Sequence, residues 1–138
     1  MIRLYGNARL VKGFRIDVDD GRSHAICLDL SRDDDGTDLG TSALELALMS
    51  FAGCYVTIFA LTAKKMRITL NELEVKTQAI KTEEAGTITE TSFEITVNAD
   101  AREDRIQRMH ELTKQSCPVG KIFDKAGVKI TYKLEISK

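Results

Sequence analysis

The pattern of apolar residues predicts an α+β fold: antiparallel strands forming a sheet, segregated helices, and one long buried central helix. Three observations carry this prediction. Short runs towards both ends of the chain alternate apolar and polar residues, and "VKITYKLEI", 128–136, does so without fault. Between them, the stretch from Ala43 to about Lys65 has no proline and is apolar on nearly every face. Later, "REDRIQRMHELTKQS", 102–116, has helical spacing, with Ile106, Met109 and Leu112 on one face.

Residues 2–30 are predicted as strands. "FRIDVDDGRSHAICLDL" alternates on both sides of Asp20-Gly21, a hairpin signal. "SRDDDGTDLG" follows as a polar loop with two glycines. Ser42 then serves as N-cap, and Glu45 three residues later completes a capping box that opens the long helix. "ELEVKTQAI" and "TSFEITVNA" form strands joined through a turn at Gly86. After the amphipathic helix, Pro118 suits position N1 of a new short helix, which puts Cys117 at its N-cap and lets Gly127 end it. The last strand is 128–136.

A chain of 138 residues is expected to form a single domain, 1–138. At this size roughly two-thirds of the extended-chain surface is buried on folding, enough for a core without staples. Apolar (43%) and charged (30%) shares are those of an ordinary globular protein. The net charge of −1 is spread along the chain, which gives no electrostatic reason to expect nucleic acid or an anionic membrane as partner. "MIRLYGNARLVKG" has no apolar signal region, so a cytoplasmic, reducing setting is expected. The long helix approaches a membrane span in length, but Glu45, Ser50, Thr57 and Thr62 interrupt it. A helix apolar all round must be covered all round, and one sheet with two shorter helices covers one side. A second copy of the chain would complete the coat, so a homodimer is predicted.

Three cysteines without a CxxC pair, and histidines at 24 and 110 remote from them, predict neither a disulfide framework nor a metal site. Cys27 sits on a strand as a small hydrophobe. Cys117 at a helix N-terminus would meet unpaired N–H groups that favour a thiolate, or it is simply an unusual cap. Cys54, in "FAGCYVT", is mid-helix, where nothing local ionises a thiol. It is core unless a cation reaches it from elsewhere.

The pairing of "AGCY" in a long apolar helix with "CPVGK" some sixty residues later resembles the family of osmotically inducible protein C and the organic hydroperoxide resistance proteins. The resemblance spans nearly the whole chain. It implies an intertwined homodimer with both cysteines at the subunit interface, and a thiol peroxidase for organic or fatty-acid hydroperoxides that needs no cofactor. By that likeness Cys54 is the peroxidatic thiolate and Cys117 the resolving thiol. Arg32 in "LSRDDDG" matches the loop arginine that holds the thiolate and peroxide, with Arg15 second. An external dithiol, in part of the family a lipoylated protein, would reduce the resulting disulfide. One position departs. The family's peroxidases carry a glutamate ten residues before the first cysteine, where this chain has Leu44. Glu45, nine residues before, falls about 180° around the helix from Cys54. That offset keeps a second reading in view: a non-catalytic dimeric ligand-binding or redox-sensing protein on the same scaffold.

Overall fold

Alternation at the N-terminus produces a three-stranded antiparallel sheet rather than a single hairpin. In the computed structural model, which describes all residues from Met1 to Lys138, the strands are β1 (Asn7–Lys12), β2 (Arg15–Asp19) and β3 (Ala25–Leu28) in the order β1-β2-β3. Residues 2–6, expected to be extended strand, lie before the sheet. The first turn uses Gly13 at φ 59°. The second is the predicted Asp20-Gly21 turn. Asp20 accepts from the Arg22 N–H at 2.9 Å and from His24 Nδ1 at 2.7 Å, and the Arg22 N–H above all holds its carboxyl down at about 2.

The polar loop after β3 is organised by a carboxylate. Asp29, only 3% exposed, accepts hydrogen bonds from the Leu30, Thr37 and Leu39 N–H groups and from the Thr37 hydroxyl. The Thr37 hydroxyl foremost keeps its carboxyl below the usual range. The loop folds so tightly that a Cβ on Gly36 would lie 2.0 Å from the Leu30 carbonyl oxygen, so only glycine fits there. These elements belong to the first of two compact units, Met1–Ala47.

The second unit is Leu48–Lys138. The helix α1 runs Ala43–Lys65, and the predicted capping box opens it. Ser42 N–H and hydroxyl donate to Glu45 Oε1 at 3.1 and 2.8 Å, and the Glu45 N–H donates back to Ser42 Oγ at 3.2 Å. Burial on α1 is confined to one stripe, Phe51, Tyr55, Phe59 and Ala63, at four-residue spacing. Leu44 and Leu61 stay exposed. Within the single chain the central helix is therefore buried along one face, not all round. By length and composition this one helix could cross a membrane, with 22% of its most apolar window buried.

Two 13-residue strands, β4 (Leu70–Thr82) and β5 (Thr87–Ala99), pair antiparallel through the Gly86 turn. An irregularity opposite Ile80 and Lys81 shifts the parity of β5, so that Ile88 and then Thr91, Phe93, Ile95 and Val97 are all buried. The last strand, β6 (Lys129–Ile136), pairs with β5 in parallel, from Glu90↔Lys129 to Val97↔Ile136. The sheet is thus β4-β5-β6 with one parallel pair, where an all-antiparallel arrangement was expected. A parallel pair needs a crossover, and the helices α2 (Glu103–Ser116) and α3 (Pro118–Lys125) supply it.

An aromatic cluster centres on this unit. The Phe51 ring lies 4.6 Å from Phe93 and 4.7 Å from Phe123, centroid to centroid, so α1, β5 and α3 meet on one side chain. The buried face of α2 is Ile106, Met109, His110 and Thr113. Leu112, expected on that face, is only half-buried.

Candidate active site

Both predicted redox cysteines lie in the second unit. Cys54 is half-buried on α1, one position off the buried stripe and next to fully buried Tyr55. Cys117 is 2% exposed and joins two helices. Its N–H donates to the Thr113 carbonyl at the end of α2, and its carbonyl accepts from the Lys121 N–H in α3. Its Sγ accepts the Gly120 N–H at 3.4 Å, so the thiol itself caps α3, with Pro118 at the first helical position as predicted. All three cysteines are free thiols, and Cys54 lies near enough to Cys117 to help raise its thiol.

Electrostatics at Cys117 differ from the expectation for a helix N-terminus. Burial pushes the thiol up to about 11, the Gly120 N–H opposes this, and the neighbouring Cys54 adds to it. Desolvation outweighs the dipole. A group whose folded value is raised stabilises the fold fully below the unfolded thiol value of about 8.5. That contribution is lost as pH rises through about 11. At pH 8 a thiol with this value is ionised to the order of one part in a thousand. Cys117 is therefore expected to resist iodoacetamide at pH 8 in the folded chain, with alkylation accelerating about tenfold per pH unit. Peptide mass spectrometry checks this, and ordinary thiol reactivity at pH 8 would contradict the burial argument.

Gly120 sets how closely α3 approaches this site. A Cβ there would lie 3.1 Å from Phe51 Cε1 and 3.4 Å from Cys117 Sγ. Alanine would gain up to about 1 kcal/mol in helix propensity. It would also press on a core ring with no free space, and overpacking costs about 1–3 kcal/mol. Gly120→Ala is expected to lose about 1 kcal/mol net in urea unfolding; a variant more stable than the parent rules out the close packing.

Tyr55 and His110 were missed by sequence reasoning. The Tyr55 hydroxyl and His110 Nδ1 are 2.6 Å apart, with His110 5% exposed. Tyr132 of β6 stacks near both rings, at 6.1 Å from Tyr55 and 5.5 Å from His110. Lys114 lies over Tyr132 and pairs with Glu111 at 3.0 Å. Burial first, then Lys114, lowers His110, so its imidazole is held neutral. Burial raises both tyrosines, Tyr132 to about 12, and the proximity of Cys117 raises both further. The signal for this cluster was the spacing 106, 109, 110, 113 and 117, an unbroken helical stripe that carries His110 and ends on Cys117. Beside it an open groove of about 570 Å³ runs along Lys114, Gly120, Lys121, Asp124 and Tyr132.

The candidate arginines lie in the first unit. Arg32 starts a short 3-10 turn, Arg32–Asp34, and is exposed. Arg15 is half-buried at the start of β2, and its Nε is enclosed without a hydrogen-bond partner. Glu45 is engaged by Ser42, which holds its carboxyl below the usual range. Cys27 is half-buried on β3, its thiol 3.7 Å from the Leu28 carbonyl oxygen. No three His, Cys, Asp or Glu side chains gather in a way that could hold a metal ion.

The fold defines an α+β protein in which a long helix carries half-buried Cys54 near the buried Cys117 that caps α3. The sequence profile of the OsmC-like protein family matches residues 35–133, and the chain belongs to that family. The crystal structure of an OsmC-like protein from Mycoplasma pneumoniae is similar at a TM-score of 0.88 and 18% identity, over 99% of each chain. The organic hydroperoxide resistance protein OhrB of Bacillus subtilis is similar at 0.66 and 20%, over 97% of this chain and 98% of that one. An organic hydroperoxide resistance protein OsmC from Legionella pneumophila is similar at 0.67 and 13%, over 100% and 98%. At these identities the likeness establishes the fold. No curated protein matches the sequence.

Proposed function

We propose that this chain is a cysteine-based peroxidase that reduces organic hydroperoxides in a reducing, cytoplasmic setting. In the first step the Cys54 thiolate attacks the distal peroxide oxygen. The O–O bond breaks, the alkoxide takes a proton and leaves as alcohol, and Cys54 becomes a sulfenic acid. Cys117 then attacks that sulfur, the S–S bond forms and water leaves. An external dithiol, of the lipoyl type, restores both thiols by exchange while becoming a disulfide itself. The observation that carries this reading is the pairing of half-buried Cys54 with a Cys117 thiol kept protonated beside it. A protonated neighbour donates to the attacking sulfur rather than competing with it. Family membership and the hydroperoxide resistance proteins among its structural neighbours support a role in peroxide resistance.

A cation is needed to hold the Cys54 thiolate. Arg32 is the first candidate by likeness. Arg15, whose Nε is an enclosed donor without an acceptor, has the stronger physical claim to an anionic partner. The exposed Leu61 on α1, with Ile2, Leu4 and Leu10 near the N-terminus, supports a homodimer in which a second copy covers these side chains. Size-exclusion chromatography with light scattering tests the dimer, and a monomer at micromolar concentration removes it.

One observation favours a second reading. With Leu44 at the family's glutamate position and Glu45 tied to Ser42, the chain lacks that carboxylate, as a redox sensor or ligand-binding relative could. Intact mass after one equivalent of an organic hydroperoxide tests the chemistry. Loss of two hydrogens mapped to Cys54–Cys117 is expected, and three persisting free thiols in folded protein overturn the peroxidase reading. Sustained turnover with dihydrolipoamide then distinguishes an enzyme from a sensor.

A further inference from the structure

We propose that Tyr55 and His110 form a positioning pair that holds Cys54 and Cys117 in register for disulfide closure, and that protonation of His110 releases it. The proposal rests on the assignment of the two cysteines to one redox couple. Its basis is connectivity. Tyr55 is the residue after Cys54 on α1, and His110 lies seven residues before Cys117 on the helix that Cys117 ends. Seven residues make about two helical turns, so His110 and Cys117 share one face of α2. The 2.6 Å hydrogen bond between Tyr55 and His110 thus ties the turn bearing one thiol to the helix bearing the other. Both residues are buried, so the bond is shielded from water.

Chemistry sets the direction of that bond. A tyrosine raised by burial keeps its proton and donates it, so the neutral imidazole accepts at Nδ1 and carries its own proton on Nε2. A second proton on the ring turns Nδ1 into a donor. The Tyr55 hydroxyl must then reverse and surrender its acceptor inside the core, where an unpaired donor is costly. The groups facing His110 do not rescue the charged form. Lys114 on its own helix repels it, and Glu111 is already paired with that lysine. Tyr55 faces it from α1 and Tyr132 from β6. Cys117 at the helix joint and Asp124 on α3 act on Tyr132.

The test uses diamide, which takes two hydrogens from a pair of neighbouring thiols to give a disulfide and a hydrazine, so closure is measured without any peroxide. At pH 8 the parent is expected to close Cys54–Cys117 about tenfold faster than Tyr55→Phe, the rate equivalent of one buried hydrogen bond. That advantage should shrink towards one as pH falls below the ordinary imidazole value of about 6.5. His110→Asn, whose carboxamide oxygen can accept from the hydroxyl but does not titrate, should keep its advantage over Tyr55→Phe at all pH values. Equal rates for the parent and Tyr55→Phe at pH 8, or a ratio that ignores pH, overturn the proposal. Nitrogen-15 NMR of the unmodified chain gives a second readout that survives a misfolded variant. His110 is expected to show the Nε2–H tautomer, with a titration that differs between the reduced and bridged forms. An unchanged titration contradicts the pairing. If diamide closes the bridge but hydroperoxide does not, the peroxidase reading falls and the positioning pair stands.

Discussion

Cys54→Ser is expected to abolish hydroperoxide consumption, lowering the rate by about a thousandfold or more. A serine hydroxyl is un-ionised at neutral pH and a far weaker nucleophile than a thiolate. Cys117→Ser should behave differently. The first equivalent of peroxide should still react, and the reaction should stop with Cys54 as sulfenic acid, which dimedone traps as a mass increase on that residue alone. The contrast follows from position. Cys54 is half-buried, so an incoming peroxide can reach it, whereas Cys117 is 2% exposed and engaged as a helix cap. If Cys117→Ser abolished the first turnover and Cys54→Ser did not, the two roles would be reversed. Coupled consumption of a dithiol gives the rate, and stopped-flow oxidation gives the first turnover.

Phe51→Ala is expected to be the most damaging single change to the fold, costing about 3–5 kcal/mol. Phe51 is fully buried, and its ring contacts both Phe93 on the central strand and Phe123 on α3. Truncation would leave a ring-sized cavity between three elements that cannot all close on it. Against a total stability of about 5–15 kcal/mol, that is enough to unfold a marginal domain. Ile122→Ala, one residue from Phe123 but 65% exposed, should change stability by no more than about 0.5 kcal/mol. Urea unfolding midpoints for the two variants decide it. A Phe51→Ala loss under about 1 kcal/mol would mean the aromatic cluster is not the centre of the core.

Local chemistry in the sequence foretold local structure well. Ser42 and Glu45 announce the start of α1 because a capping box acts over three residues, and Cys117-Pro118 marks the start of α3 for the same reason. The parallel pairing of β6 could not be read this way. Ile130, Tyr132, Leu134 and Ile136 alternate identically whichever way the strand runs, and direction is decided by the crossover. The N-terminal sheet gained a strand because the alternation around Gly13 contains its own turn. At the site, "AGCY" and "CPVGK" pointed to the two cysteines through family likeness, while the burial that keeps Cys117 protonated is a tertiary property. His110 was hidden because a histidine in an amphipathic pattern counts as polar until a partner such as Tyr55 is seen against it.

The parallel crossover also fixes an order of events during synthesis. Strand β6 registers against β5 across 39 residues, as in Glu90↔Lys129, and Cys117 rides on the connecting helices. Contacts this distant in sequence form late in folding. Chain elongation at roughly 5–20 residues per second makes Cys54 emerge from the ribosome about 3–13 seconds before Cys117 does. During that interval the nascent chain carries the Cys54 thiol without Cys117, and its aromatic stripe lacks the cover of α3 and β6. Oxidation of Cys54 in that window would strand it as a sulfenic acid open to further oxidation. On the roles proposed for the two cysteines, the unfinished chain is thus open to an oxidation that the finished molecule would resolve.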